Sequence, residues 1–244
     1  MRLTLAQLLT LSDTSAEGLK GLRRRDQLAL AFGQRFAYQS LTFFPIDAVG
    51  MRLAAGLGNY LGLLKAAQVV RLWSDDWLRV VAEVEHSGVL VEWCVVELVD
   101  ALGKKATWTS TARSPDGTSA PNFAEVKGRI AQFSETSEFA KMCAAAGLGP
   151  GARPQALLCV PVKPILATIR QRAAKEGLDL SGPFMPAPGP ALDVLLKPYV
   201  EARDRAVREV ASLTKRGREK LAEQAGQASR QLAEAMLAID GGSA

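Results

Sequence analysis

The sequence predicts a mainly helical protein of the α+β class, and three observations lead to that prediction. Two short helices with capping residues open the chain, an amphipathic helix spans about residues 64–85, and a Val-rich run at residues 89–99 is typical of a strand. Hydrophobic residues make up 48% and charged residues 23% of the 244 residues, which is typical of a globular protein and excludes wholesale disorder. No run of about 18 apolar residues is present, so no membrane span is predicted.

The first two predicted helices are separated by a short polar turn. Thr4 and Gln7 fit a capping box, which begins a helix that runs to about residue 11. Residues 12–13 break that helix, and residues 14–17 (Thr-Ser-Ala-Glu) fit a second capping box. Two short helices joined by a tight turn form a helix-turn-helix unit, whose second helix can enter the major groove of DNA.

The second helix carries much of the positive charge. The chain has 30 Lys and Arg against 25 Asp and Glu, a net charge of +5, and 7 − 4 = +3 of it falls in residues 1–60. Leu19 and Leu22 give the helix an apolar stripe with a cationic flank. The flank consists of Lys20, Arg23, Arg24 and Arg25. Gly18 and Gly21 each cost about 1 kcal/mol relative to Ala in a helix, which indicates either a weak helix or a close approach to DNA or to the first helix.

A hairpin is predicted after the second helix, because apolar residues flank Gly33 and its short loop. A basic, aromatic hairpin in this position is a wing, which would place Arg35 and Tyr38 beside the phosphate backbone. Pro45 suits the first position of a third helix. Apolar residues then follow at helical spacing, namely Ile46, Val49, Leu53 and Leu57.

This order of helix, turn, helix, wing and helix resembles the winged helix-turn-helix domain of MerR-like bacterial transcription regulators. The similarity covers about residues 1–70 and includes the Ser/Thr start of the second helix, its Leu-Arg-Arg-Arg run, Arg-Phe-Ala-Tyr at residues 35–38 and Phe-Pro-Ile-Asp at residues 44–47. The sequence departs from the family pattern at Arg24, where an aromatic residue is usual, and at residues 26–28, where Gly-Leu is usual. The resemblance implies a dimer that binds DNA with its second helix.

Residues 1–62 are therefore predicted to be a DNA-binding domain. The predicted DNA-contacting residues are Ser15, Lys20, Arg23, Arg24, Arg25, Arg35 and Tyr38. The predicted function is sequence-specific regulation of transcription by a homodimer in the cytoplasm, associated with the nucleoid. Two alternatives stay open: an architectural DNA-binding adaptor of phage or plasmid type, and a helical protein-interaction scaffold whose cationic run is only a solvated surface.

Residues 63–112 are predicted to form a connector helix and a small antiparallel sheet. Two of the four tryptophans, Trp73 and Trp77, fall on the buried stripe of the helix. Aromatic walls also bind ligands, so a small-molecule or protein effector on this region is the alternative. The run 89–99 is expected to pair with residues 106–111 across a short turn.

The remaining residues are predicted to hold little regular structure before a terminal helix. Residues 113–200 are expected to be an irregular, Pro- and Gly-rich region with one short helix around Ile165 and Ile169, and residues 183–190 to be a linker or surface loop. Residues 201–244 show the spacing of an amphipathic helix that packs on the body or dimerises.

No enzyme active site, cofactor or metal site is predicted. The one histidine, His86, precedes a predicted turn and is expected to be exposed. Cys94, Cys143 and Cys159 lie far apart without a C-x-x-C pair, which predicts three reduced thiols. Nucleotide-binding glycine motifs and the G-x-S-x-G hydrolase motif are absent from the sequence.

Overall fold

The computed structural model describes residues 2–24, 43–114, 121–206 and 208–209. The elements in chain order are α1 (Leu5–Ser12), α2 (Ala16–Arg24), α3 (Pro45–Leu61), α4 (Leu63–Leu72), α5 (Ser74–Ser87), β1 (Val91–Val99), β2 (Lys105–Arg113), α6 (Phe123–Ser134), α7 (Ser137–Ala145), β3 (Arg153–Pro161) and α8 (Val162–Lys175). A further helix, α9, covers residues 190–206. The mixture of helices and one small sheet confirms the α+β class. Within these residues, no helix is both long and apolar enough to cross a bilayer.

The sheet lies between two layers of helices. Its central strand β1 pairs antiparallel with β2 on one side and with β3 on the other, which confirms the predicted pairing of β1 and β2. Because successive side chains of a strand point to opposite faces, Trp93 and Val95 pack with α1, α3, α4, α5 and α8, whereas Cys94 and Val96 pack with α6 and α7. The first of these cores contains residues from all three predicted segments between residues 1 and 200.

The first and third helices begin where the sequence predicts. The amide of Gln7 donates to the Thr4 hydroxyl (3.2 Å), and the amide of Thr4 donates to the Gln7 side chain (2.8 Å), which confirms the first capping box. The third helix starts at Pro45, whose missing amide hydrogen is not needed at that position. Leu8 of α1 and Leu53 of α3 are fully buried in the same core.

The predicted connector helix over residues 64–85 is wrong in one respect, since two helices, α4 and α5, meet at Trp73. The indole N–H of the fully buried Trp77 donates to the carbonyl oxygen of Val70 (2.9 Å), near the end of α4. Asp75 and Asp76 occupy the first turn of α5, where carboxylates stabilise a helix N-terminus. The apolar periodicity continues across the break, so spacing alone does not reveal it.

The prediction of an irregular region over residues 113–200 is wrong, because α6, α7, β3 and α8 all lie there. Asn122 and Thr136 cap α6 and α7 through their side-chain oxygens. The prolines occupy positions that tolerate them: Pro154 and Pro161 lie near the two ends of the edge strand β3, and Pro164 in the first turn of α8. The expected helix around residues 165–169 is confirmed as part of α8.

The Pro-rich segment at residues 183–190 is a surface loop, one of the two expected alternatives, and it is tied to the body rather than being a free linker. The carboxylate of Glu85, whose side chain is 3% exposed, accepts hydrogen bonds from the backbone amides of Phe184 (2.9 Å) and Met185 (3.2 Å). The same carboxylate pairs with Arg170, whose guanidinium lies over the Phe184 ring, 4.8 Å from its centroid. The segment is therefore bound to the body at a buried charge.

The expectation of three reduced thiols is wrong for two of them. Cys94 of β1 and Cys159 of β3 lie directly opposite each other, with Cα atoms 4.1 Å apart, and form a disulfide. Cys143 is free and buried, and burial raises the pKa of its thiol. The two cysteines are 65 residues apart in sequence, and only the register of β1 and β3 brings them together, so spacing did not predict the pair.

Asp100 organises the turn between β1 and β2. Its carboxylate accepts backbone hydrogen bonds from Gly149 (2.8 Å), Lys104 (2.9 Å) and Leu102 (2.9 Å). A Cβ atom at position 149 would lie 3.2 Å from the carboxylate, so glycine permits this approach. These hydrogen bonds, that of Gly149 first, lower the pKa of Asp100 below its ordinary 3.8.

Replacing Asp100 by Asn is expected to lower the Tm at pH 7 and to do so less at acidic pH. Because the pKa of Asp100 is lower in the folded protein than in the unfolded chain, its stabilising contribution is complete above the ordinary value of 3.8 and is lost as the pH falls below it. Thermal melts of both proteins between neutral pH and the acid limit of folding measure this. A Tm difference that stays constant with pH would contradict the assignment.

Candidate nucleic-acid interface

Three residues, 13–15, join α1 to α2. Asp13 adopts the left-handed conformation (φ 56°, ψ 37°), and its amide donates to the carbonyl of Leu9, which ends α1. The Ser15 hydroxyl accepts a hydrogen bond from the amide of Gly18 (3.0 Å) and so begins α2. The predicted capping box at residues 14–17 is wrong by one position, and Gly18 lacks the side chain that would complete a box.

The turn is anchored to two other helices. The Asp13 carboxylate accepts from Arg52 of α3 and from Arg172 of α8, each at 3.0 Å. Arg172 also donates to the carbonyl of Thr10 (3.1 Å). The hydrogen bond and charge of Arg172, followed by those of Arg52, lower the pKa of Asp13. Arg172 lies 159 residues from Asp13 in sequence, so no local pattern could have indicated this contact.

The second helix packs by one side and exposes another. Leu19 is 5% exposed and belongs to the main core, as its place in the predicted apolar stripe requires. Ala16, Glu17 and Lys20 are exposed. The helix therefore rests on the body through its apolar stripe, with a polar face open to a partner.

The predicted DNA-contacting residues divide into three groups. Ser15 is exposed and caps α2, while Lys20 is exposed one turn further along. Arg23 and Arg24 belong to the last turn of α2. The predicted residues Arg25, Arg35 and Tyr38, together with the predicted hairpin, lie outside the described residues. The four of these residues that the structure describes therefore belong to α2 or directly precede it.

The residues that border the predicted hairpin and the first helix are paired. The amide of Leu3, just before α1, donates to the carbonyl of Phe43, just before α3, at 2.9 Å in an antiparallel bridge. Both side chains are buried in the main core. The chain thus returns to the start of α1 at residue 43.

The two glycines of α2 do not pack against α1. A Cβ atom at Gly18 would lie 3.1 Å from the Ser15 hydroxyl oxygen, and one at Gly21 would have no atom of the described chain within 4 Å. Close packing on the first helix, one of the alternatives from the sequence, is therefore wrong. Among the described residues, none occupies the space beside Gly21.

The tryptophans divide between the core and a cavity. Trp77 is fully buried, as expected of the helix stripe, whereas Trp73, expected on the same stripe, is only partly buried; Trp93 of β1 is also fully buried. Trp73 and Trp108 are partly exposed and wall a cavity of about 460 Å³ between α4, β2 and α7. Residues 63–112, where the sequence left an effector as the alternative, supply most of the lining, and Met142, Ala145, Ala146 and Ala206 supply the rest.

The sequence also raised His86 and the metal-ligand residue types as candidates. His86 is exposed, as predicted, with Nε2 2.9 Å from the carbonyl oxygen of Met185. Among the described residues, no group of three or more His, Cys, Asp or Glu side chains is arranged to hold a metal ion.

Comparisons of the chain with protein-family models, with curated proteins and with solved structures found no match. The MerR-like resemblance accordingly stays a prediction from the residues of the first 70 positions.

Proposed function

We propose that this protein binds double-stranded DNA by inserting α2 into the major groove, and that it acts as a sequence-specific regulator of transcription. The observation that carries the proposal is the anchored turn at residues 13–15. The turn leads into α2, Leu19 packs α2 into the main core, and the face of α2 that contains Lys20 stays exposed. A helix presented in this way is the recognition element of helix-turn-helix proteins.

The charge and length of α2 suit this role. The helix has nine residues and ends in Arg23 and Arg24, with Arg25 next in sequence. Each phosphate that a cationic side chain neutralises releases condensed counterions, and arginine also reads guanine edges with two hydrogen bonds. Ser15 lies at the other end of the helix, where free backbone amides favour a phosphate.

The contacts of the turn favour a DNA-binding helix that is already ordered before it meets DNA. Asp13 pairs with Arg52 and Arg172 from two different helices, and Leu19 packs in the main core, so the position of α2 on the body is restrained. An element that is ordered before binding loses less conformational entropy on association.

A wing between α2 and α3 is part of the proposal. The residues predicted to form the hairpin, including Arg35 and Tyr38, lie between α2 and Phe43, and the chain at Phe43 is paired next to the start of α1. The proposal places these two side chains on the phosphate backbone. A dimer is part of the proposal, because one nine-residue helix contacts few base pairs. Two copies of the helix, each on one half-site, would contact twice as many.

The triple variant Arg23→Ala/Arg24→Ala/Arg25→Ala is expected to bind DNA about tenfold more weakly or worse at low salt. Three lost phosphate contacts would also reduce the slope of log K against log salt by up to about 3. Electrophoretic shift and fluorescence anisotropy titrations at several salt concentrations measure both quantities. A footprint on one defined sequence distinguishes a regulator from an architectural adaptor.

The matched control is Lys127→Ala/Arg129→Ala/Lys141→Ala. These three exposed cations on α6 and α7 change the net charge by the same amount on the other helix layer. The control should keep the affinity and salt slope of the wild type. If both triple variants bound DNA equally weakly, binding would depend on net charge alone and not on α2. If the wild type bound no DNA at low salt, the result would favour the protein-interaction scaffold.

A second variant, Gly21→Ala, examines the approach of DNA to α2. Alanine at this open position should stabilise the helix by up to about 1 kcal/mol. If DNA approaches the backbone here, the more stable variant will bind more weakly. Higher Tm with unchanged affinity would contradict contact at Gly21.

A further inference from the structure

The cavity of about 460 Å³ has the size and walls of a small-molecule site. Leu72 and Trp73 form one wall, Leu98 and Trp108 the sheet side, and Met142 of α7 the opposite wall. It lies along the N-terminal half of β2, which is an edge strand of the sheet. The apolar walls favour a ligand with an apolar body.

Among the described residues, the charged side chains that line the cavity are Lys65, Lys104 and Lys105. Lys65 and Lys105 both pair with the carboxylate of Glu97, at 2.5 Å and 3.3 Å, so their ammonium groups converge and share one acid. Their side chains are 39% and 46% exposed, which leaves them accessible from solvent. A second carboxylate would complement this pair.

A cationic ligand is disfavoured at the other end of the cavity. The guanidinium of Arg203 already lies over the Trp73 ring, 5.2 Å from its centroid. Arg203 also pairs with Asp75 (2.5 Å) and Asp76 (3.5 Å), so these acids have a cation. The aromatic face and the carboxylates that would attract a cation are therefore occupied.

We propose that the cavity binds a small carboxylic acid with an apolar body, such as a medium-chain fatty acid, with its carboxylate at Lys65 and Lys105. The apolar chain packs between Trp73 and Trp108. This inference does not depend on DNA binding, because it rests on a different part of the molecule and its test contains no DNA.

The test is calorimetric titration of the full chain with three probes of equal chain length, each below its micelle concentration: decanoate, decanol and decyltrimethylammonium. Decanoate is expected to bind with one site per chain and about tenfold more tightly than decanol, since one added charge pair of about 1.4 kcal/mol corresponds to that ratio. The cation is expected to bind least. Equal or tighter binding of the cation, or no binding of decanoate, would overturn the proposal.

Two variants separate the site from non-specific adsorption. Lys105→Gln should weaken decanoate about tenfold and leave decanol unchanged, while Lys65 still pairs with Glu97. Ala145→Trp, at an exposed position on the cavity rim, should abolish binding of both probes without altering the core. Lys127→Gln, outside the cavity, is the matched control. Decanoate binding that neither Lys105→Gln nor Ala145→Trp reduces would show adsorption elsewhere and overturn the proposal.

Discussion

Replacing Glu85 by Ala is expected to lower the free energy of unfolding by about 3 kcal/mol, since it removes a buried carboxylate that accepts from one partly buried guanidinium and two backbone amides. The Glu85 carboxylate binds the guanidinium of Arg170 and the backbone amides of Phe184 and Met185. Arg170 also donates to the carbonyl of Leu180 (3.0 Å), so one buried carboxylate orders the chain between α8 and α9. Urea unfolding measured by circular dichroism gives the difference.

The matched control is Glu83→Ala, two residues earlier on the same helix. Glu83 pairs with Arg113 (2.7 Å), but these side chains are 26% and 54% exposed. Exposed ion pairs contribute at most about 1 kcal/mol, so this variant should change stability little. Equal losses in the two variants would contradict a structural role for the Glu85 carboxylate.

The second large effect is expected on reducing the disulfide between Cys94 and Cys159. Closing a loop of 65 residues restricts the unfolded chain, and the loop-closure relation puts the stabilisation at about 4 kcal/mol. Unfolding in urea with and without a reducing agent measures it. The double variant Cys94→Ala/Cys159→Ala should unfold at the lower urea concentration in either condition.

Cys143→Ala supplies the control for the disulfide, because this thiol is free. It should respond to the reducing agent as the wild type does. A thiol assay on unfolded, unreduced wild type should detect one reactive group. Three reactive groups, or a stability that reduction does not alter, would contradict the pairing.

Local patterns predicted those elements whose causes are local. The capping box of Thr4 and Gln7, the start of α3 at Pro45 and the Val-rich strand β1 all depend on residues within a few positions of each other. The same holds for Leu19 and its place on the buried side of α2. The helix break at Trp73 escaped prediction because hydrophobic spacing is unchanged across it.

The sequence indicated which residues of α2 form the candidate interface, but it did not indicate the contacts that tie the preceding turn to α3 and α8. The cationic run of α2 and the turn before it are readable from sequence, whereas the ties from Asp13 to Arg52 and Arg172 join residues far apart in the chain. The lysines of the cavity were not predicted either, because Lys65 and Lys105 meet only through Glu97 on β1.

By itself, the sequence determined the capped helices, the strand pair and the cationic second helix, since helix caps, alternation and charge act over one or two turns of chain. Only the tertiary structure decided the disulfide, the buried Glu85 and the cavity. Each of these requires groups from distant segments to meet, and that meeting follows from which faces of the sheet and helices are buried together. Three prolines illustrate the difference, since their local preference is for turns, yet strand pairing and burial place Pro154 and Pro161 near the ends of β3 and Pro164 in the first turn of α8.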